Sequence, residues 1–338
     1  MTCGTGFSRR TLLRYAVAAA VAAPAAVQAR AAPLSLAALT PQLQREWLDV
    51  QSVTVLLRGQ RVFAFERPPL KADSLQDVQS VTKSVLALLF GQAVADGHVR
   101  GPDELVALRL PTLLRLGLDT RVQRLRFAHL LSMTAGWPPD ETARRDRDDD
   151  LHWLARRPFV AEPGARFAYD NGAANLLALA LANAVGEPLP AYARRRLFEP
   201  LGIGRFDWRR GARGHALGAI GLSLAVEDMA KLGQLVLQEG QWQGRILLPR
   251  DFVRAMTERH SAGGPPLAAA YGWLWWLGAG SVMASGYGGQ WIHVEPKLEL
   301  VVAATSRRTP ESAARGQART LIRARIAPAV RRLQRAGQ

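Results

Sequence analysis

The chain has 338 residues, 48% of them hydrophobic and 21% charged, a globular balance with enough length for a large core. Its 44 basic and 28 acidic residues give a formal charge of +16, nearly all of the excess being arginine spread along the sequence. That spread argues against a nucleic-acid-binding module and reads first as an arginine bias of composition, with peripheral attraction to an anionic envelope surface as the alternative.

The N-terminus reads as a targeting segment. Ser8-Arg9-Arg10-Thr11-Leu12-Leu13-Arg14 is a twin-arginine pattern, residues 15–27 are apolar, and Ala29-Arg30-Ala31 offers a small-x-small cleavage site. Residues 1–31 are therefore expected to be a cleavable signal that exports a folded protein to the periplasm or beyond. Its removal takes four arginines and no acid, which lowers the charge to +12. Cys3, the only cysteine, leaves with it. The mature chain then has no disulfide, thiol nucleophile or cysteine metal ligand. No later apolar run reaches membrane-spanning length without charges, so no transmembrane segment is expected after cleavage.

Residues 36–47 have helical character. Two β-rich runs, 53–57 and 62–65, flank the turn Arg58-Gly59-Gln60. From Ser80 the spacing of Val81, Ser84, Val85, Leu88, Leu89 and Ala93 predicts a helix, with Gly97 beyond Asp96 as its stop. Residues 101–264 read as mainly helical with long loops. The charge run over 140–157 lacks calcium-loop spacing and is expected to be a solvated loop. A second apolar helix is predicted over 173–185. Runs at 273–277, 282–285, 291–294 and 298–305 predict a strand meander. A closing helix over 311–326 carries Ala318, Ile322 and Ile326 on one stripe, with Arg315, Arg319 and Arg323 on a neighbouring, solvated one. Strands at both ends with helices between predict an α+β fold. Its antiparallel sheet would combine N- and C-terminal segments, flanked by helices, around a mainly helical lobe at about 101–264. Residues 32–338 would form one domain, without repeats or linkers.

Ser80 and Lys83 lie three residues apart, so in a helix they share a face and the lysine nitrogen reaches the serine oxygen. Lys83 is the only charge between Asp77 and Asp96. An apolar setting disfavours the ammonium and makes a neutral base accessible. The helix N-terminus offers N–H groups to an oxyanion. Tyr169-Asp170-Asn171 follows the turn Pro163-Gly164. A phenol near a cationic lysine is usable as a proton shuttle, and an asparagine can hold both lysine and a substrate carbonyl. Gly288-Gly289, between two predicted strands, suits a close backbone approach that exposes an N–H. Such a serine–lysine–tyrosine set needs neither metal nor other cofactor, and none is expected. His129, His152, His215 and His293 show no paired metal-ligand spacing, and no G-x-S-x-G elbow occurs. Trp273, Trp275 and Trp276 are expected to be mainly core residues; Trp273 and Trp275 would share one strand face, where either or both could alternatively wall an acyl pocket.

These motifs resemble the serine hydrolase branch of the β-lactamase/DD-peptidase superfamily, near class C β-lactamases and the related esterases and 6-aminohexanoate-oligomer hydrolases. Leu130-Leu131-Ser132-Met133-Thr134-Ala135-Gly136 is similar to L-L-x-x-T-S-G, and Pro163-Gly164 through Phe167, Tyr169 and Asn171 to P-G-x-x-F-x-Y-x-N. Pro200-Leu201-Gly202 and Ser285 to Gln290 fall in the family's order. The resemblance implies an acylated Ser80, acid/base work by Lys83 and Tyr169, orientation by Asn171, and an oxyanion hole from the N–H groups of Ser80 and Gly289. Its third motif usually starts with Lys or His, where this chain has Gly286. That departure shifts the expected substrate from β-lactams and peptidoglycan stems toward esters or amides lacking their carboxylate, unless an arginine from elsewhere in the chain compensates. A β-lactamase or DD-peptidase proper stays an alternative, as does a non-hydrolytic wall-binding or sensor protein.

Overall fold

A computed structural model describes residues 36–140 and 148–336. The twin-arginine segment with Cys3, and residues 141–147 of the charge run, lie outside the described residues.

The two N-terminal β-rich runs form a hairpin, Val50–Leu57 and Gln60–Glu66. Its turn is the dipeptide Arg58-Gly59, with φ of 51° and 75°. Two left-handed residues make the turn whose twist matches that of paired strands. Val50–Leu57 also pairs antiparallel with the last strand, Leu300–Ser306, placing Val53 opposite Ala304 and Thr54 opposite Ala303. The chain ends thus meet in one eight-stranded sheet. Its order is Gln60–Glu66, Val50–Leu57, Leu300–Ser306, Gln290–Glu295, Ser281–Gly286, Trp276–Gly278, Ala269–Tyr271 and Ser261–Gly264.

Alternation along these strands supplies two cores. Ile292, Val294, Val301 and Ala303 face the helices Val81–Ala95 and Val226–Leu237. Trp291, Leu300, Val302 and Ala304 face Leu39 and Leu43 of the first helix and Leu321, Ile322 and Ile326 near the C-terminus. Helix Val81–Ala95 is buried on every side from Val81 to Ala93. Truncating Leu86, Leu88 or Leu89 to alanine there would cost about 2–5 kcal/mol each. Lys83 therefore sits inside a core helix. Among the described residues between 100 and 260, the regular elements are helices apart from a small sheet and a short hairpin, joined by long loops. The small sheet joins Gln76–Asp77 to Leu222–Leu224 and Asp207–Trp208. Among the described residues no single helix is long and apolar enough to cross a membrane.

The α+β expectation holds, with local corrections. The charge run is not simply a solvated loop: in its described part Leu151–Ala155 is helical, and Asp148, Asp149 and Arg157 are buried. The run 273–277 is not one strand: Ala269–Tyr271 and Trp276–Gly278 are separated by a turn in which Leu274 has a φ of 55°. Trp273 and Trp275 therefore share no strand face. Trp273 stacks on His260 with centroids 4.5 Å apart, and Trp275 is wholly buried. The closing helix is also broken. Pro310–Arg315 ends at Gly316, whose φ of 57° stops it, and the chain restarts as Gln317–Leu321 and continues to Ala336. Arg315 is held by the buried Asp49 at 2.6 Å, while Arg319 turns partly inward.

Candidate active site

Ser80 is presented by a tight approach. Gln76 and Asp77 are fixed by pairing with Leu224 and Ser223, and Asp77 then accepts from the N–H of Gln79 at 2.9 Å and from Arg308 at 2.7 Å. Gln79 is thereby held at a φ of 52°, an unusual state for a residue with a β-carbon. Ser80 follows as the N-cap of helix Val81–Ala95, but its hydroxyl caps nothing. The N–H groups of Val81, Thr82 and Lys83 each bond a carbonyl three residues back. The first helical turn thus offers fewer free donors than the sequence suggests. The N–H of Ser80 itself has no acceptor among the described residues.

Lys83 is 1% exposed, and its Nζ donates to Ser80 Oγ at 2.9 Å, Asn171 Oδ1 at 2.8 Å and the Ala219 carbonyl at 2.8 Å. Two of these can only accept, whereas the serine hydroxyl can accept or donate. An ammonium satisfies all three as donor. A neutral amine keeps its bonds to Asn171 and Ala219 and leaves its lone pair for the Ser80 hydroxyl. The geometry therefore suits both protonation states, which a proton-transfer pair requires. Asn175, one helical turn beyond Asn171, accepts from the N–H groups of Gly218 and Ala219 at 3.0 and 2.9 Å and so positions the Ala219 carbonyl.

Tyr169 is buried beside this cluster. Lys83 Nζ lies 4.9 Å from its ring centroid, and the ring stacks on Trp276 at 5.6 Å. Tyr271 meets both rings edge-on, and its burial, with Tyr169 adjacent, holds its own phenol well above the usual tyrosine range. Asp170 fixes the chain between Tyr169 and Asn171. It caps helix Asn171–Val185 by accepting from the N–H groups of Gly172 and Ala173, and both its oxygens accept from Arg157 at 2.8 and 2.7 Å. Burial pushes the Asp170 carboxyl upward, against the pull of that guanidinium and of the two N–H groups.

Ser80, Tyr169 and Asn171 line one cleft of about 470 Å³ with Ile220, Trp276, Gly286, Gly288, Gly289 and Arg319. The turn 287–289 closes its rim, and the Gly289 N–H donates to the Gly286 carbonyl at 3.2 Å. The structure so gathers Ser80, Lys83, Tyr169, Asn171, Gly288 and Gly289 in one place, though the Gly289 donor is engaged by its own hairpin. Gly286 is closed to any side chain. A β-carbon there would lie 2.4 Å from the Val78 carbonyl and 3.0 Å from Gln79 Cβ. Neither Lys nor His fits at that position with this backbone. Trp276, Asn175, the Ala219 carbonyl and Arg319 are the parts that sequence reasoning missed. Only the Asn171/Asn175 repeat, at helical spacing, left a signal.

Solved structures share this fold. The chain superimposes with a TM-score of 0.72 on EstCE1, a hydrolase with promiscuous acyltransferase activity, at 18% identity over 88% of this chain and 98% of that one. With the octameric penicillin-binding protein homologue from Pyrococcus abyssi the TM-score is 0.66, at 19% identity over 86% of this chain and 77% of that one. A protein of Escherichia coli (strain K12) named “Putative D-alanyl-D-alanine carboxypeptidase” is 26% identical over 149 residues, 40% of this chain, and the match spans only 34% of that relative's length. The sequence profile of the Beta-lactamase family matches residues 38–326, nearly the whole described chain, and the protein belongs to that family.

Proposed function

We propose that the protein is a serine hydrolase that cleaves an ester or amide through an acyl-enzyme on Ser80. The observation that carries this reading is the placement of Lys83 Nζ 2.9 Å from Ser80 Oγ, with Asn171 Oδ1 and the Ala219 carbonyl, which can only accept, holding it there. Lys83 takes the serine proton as Oγ bonds to the substrate carbonyl carbon. The resulting oxyanion faces the Ser80 N–H, and the Gly289 N–H joins it on release from the Gly286 carbonyl. As the carbon–leaving-group bond breaks, Tyr169 passes a proton to the departing oxygen or nitrogen and is reprotonated by the one Lys83 took from Ser80. Water then attacks the ester carbonyl, and the proton returns to Ser80. Asn171 holds Lys83 and can donate to a substrate carbonyl through its amide nitrogen.

Esters and simple amides are favoured over β-lactams because the corner at Gly286 admits no cation for a carboxylate beside the scissile bond. The test is a panel of p-nitrophenyl esters run beside nitrocefin, with fluorophosphonate labelling and peptide mapping. Ester turnover, an adduct on Ser80 and loss of both in Ser80→Ala are expected. Undiminished hydrolysis in that variant, with no adduct on Ser80, would refute the reading. Nitrocefin turnover matching that of the esters would return the assignment to a β-lactamase.

Export through the twin-arginine route is proposed from residues 1–31. Replacing Arg9 and Arg10 by lysine should retain the precursor in the cytoplasm on cell fractionation. Unaltered export of that variant would rule out this route.

A further inference from the structure

The turn that carries Gly289 is gripped from two sides. On one side stand residues 78 and 79: a β-carbon on Gly286 would lie 2.4 Å from the Val78 carbonyl and 3.0 Å from Gln79 Cβ. On the other stand residues 307 and 308: a β-carbon on Gly288 would lie 2.5 Å from the Arg307 carbonyl and 2.9 Å from Arg308 Cα. Asp77 and Arg308 join these two walls, Oδ2 of the carboxylate accepting from the guanidinium at 2.7 Å. Oδ1 of the same carboxylate accepts from the Gln79 N–H at 2.9 Å. Main-chain pairing with Leu224, Ser223 and Leu222 already fixes residues 76–78. What the Asp77 side chain adds is the conformation of the next residue. Gln79 has a φ of 52°, held by its N–H bond to Asp77 and by the bonds its carbonyl accepts from Thr82 N and Oγ1 at 3.0 and 2.7 Å. Ser80, whose N–H has no acceptor among the described residues, comes immediately after.

We propose that Asp77 and Arg308 form a clasp that sets the spacing of the two oxyanion donors, the N–H groups of Ser80 and Gly289. The proposal rests on the acyl-enzyme reading above. Asp77 is a positioning residue: it holds Gln79 left-handed and so aims the Ser80 N–H at the cleft. Arg308 seats the 287–289 turn against its own backbone. It also neutralises the Asp77 carboxylate, whose charge would otherwise oppose an oxyanion forming beside that segment. Neither residue lines the cleft, so both act through the groups they hold. The negative oxygen develops only as the acyl carbon turns tetrahedral, so misplaced donors cost kcat and leave ground-state binding alone. The pair is part exposed, with side chains 50% and 17% accessible, and such pairs contribute little to the fold. Its worth lies in rate rather than stability.

The test measures p-nitrophenyl acetate hydrolysis by purified variants, with kcat counted per Ser80 labelled once fluorophosphonate has reacted to completion. That count removes any misfolded fraction. Asp77→Ala should lower kcat about 100-fold and Arg308→Ala about tenfold, both with KM near that of the parent. Phenylboronic acid, which forms a tetrahedral adduct on a serine oxygen, should bind more weakly by similar factors. Asp77→Asn keeps an oxygen for the Gln79 N–H and should recover part of the loss. Glycine adopts a left-handed φ without help. In a Gln79→Gly background the Asp77→Ala penalty should therefore shrink to about tenfold, the share that belongs to Arg308. Each penalty is taken within its own background, since Gln79 also lines the cleft. A purely structural role for Asp77 would not be relieved by glycine at the position before the nucleophile. Parent-like kcat in either alanine variant, a loss carried by KM, or an Asp77→Ala penalty undiminished in Gln79→Gly would overturn the proposal. When the parent is labelled at Ser80 and turns over the ester, such a failure belongs to the clasp alone. If the parent is not labelled at Ser80, the acyl-enzyme reading falls and the clasp with it.

Discussion

Replacing Lys83 by methionine is expected to lower kcat for ester hydrolysis by about 10²–10⁴-fold, the usual worth of a positioned general base. The reason lies in the three bonds at Nζ. Asn171 Oδ1 and the Ala219 carbonyl fix the nitrogen from two sides, and Ser80 Oγ stands on the third at 2.9 Å. Methionine nearly matches the length of the stem but brings no proton acceptor of useful strength. Its effect on stability is the net of opposing changes. Removing a buried ammonium is favourable, while orphaning two carbonyl oxygens costs about 1–3 kcal/mol each. A melting temperature near that of the parent is expected, so the rate loss reports on chemistry. Lys83→Arg separates base from cation, because guanidinium keeps the charge and does not deprotonate. Activity in the arginine variant close to that of the parent would show that charge alone suffices and would remove the base role. Stopped-flow acylation with p-nitrophenyl acetate, beside thermal melts, supplies both readouts.

The parts of this site visible in the sequence are those whose geometry is set locally. Ser80 and Lys83 are three residues apart in one helix, so their contact follows from helical spacing alone. Tyr169 and Asn171 flank the capping Asp170, and the cap fixes where the next helix starts. The central strands were legible as apolar runs joined by short turns, whereas Ser261–Gly264 and Ala269–Tyr271, short and poor in large apolar residues, were not. The remaining parts depend on tertiary accidents of backbone. The Ala219 carbonyl is a main-chain atom 136 residues from Lys83, and no side chain announces it. Trp276 replaces Trp273 and Trp275 at the cleft because Leu274, a non-glycine residue, takes a left-handed conformation that no pattern of aromatic residues reveals. Arg319 looks solvated on an unbroken helical wheel. The break at Gly316 starts a new segment and brings that guanidinium to the cleft wall. The empty cationic position was visible as Gly286, but its physical closure by the Val78 carbonyl was not.

Arg157→Met is expected to destabilise the fold by about 3–5 kcal/mol, the cost of removing one partner of a buried ion pair and leaving the other charged. Both groups are enclosed, with side chains 5% and 2% exposed. Gly172 makes room for this pair: a β-carbon there would lie 2.1 Å from an Arg157 guanidinium nitrogen. The pH dependence has a definite sign. Burial already pushes the Asp170 carboxyl upward, and Arg157 opposes that push. Without the guanidinium the carboxyl rises further, so the folded variant binds a proton at pH values where the unfolded chain does not. Stability of the variant therefore falls as pH rises from the unfolded carboxylate range through the raised folded value, and recovers on acidification. The gap between variant and parent in urea-unfolding free energy should narrow toward acid pH. Adding Asp170→Asn to Arg157→Met removes the unpaired charge while keeping a capping oxygen, and should recover part of the loss. Equal gaps at neutral and acid pH, with no recovery in the double variant, would show that Arg157 acts only through packing on Trp137 and Trp153. The same substitution should also lower kcat, because Asp170 lies between Tyr169 and Asn171 and fixes the spacing of both from Lys83. An ion pair outside the cleft would then set the alignment of the groups inside it.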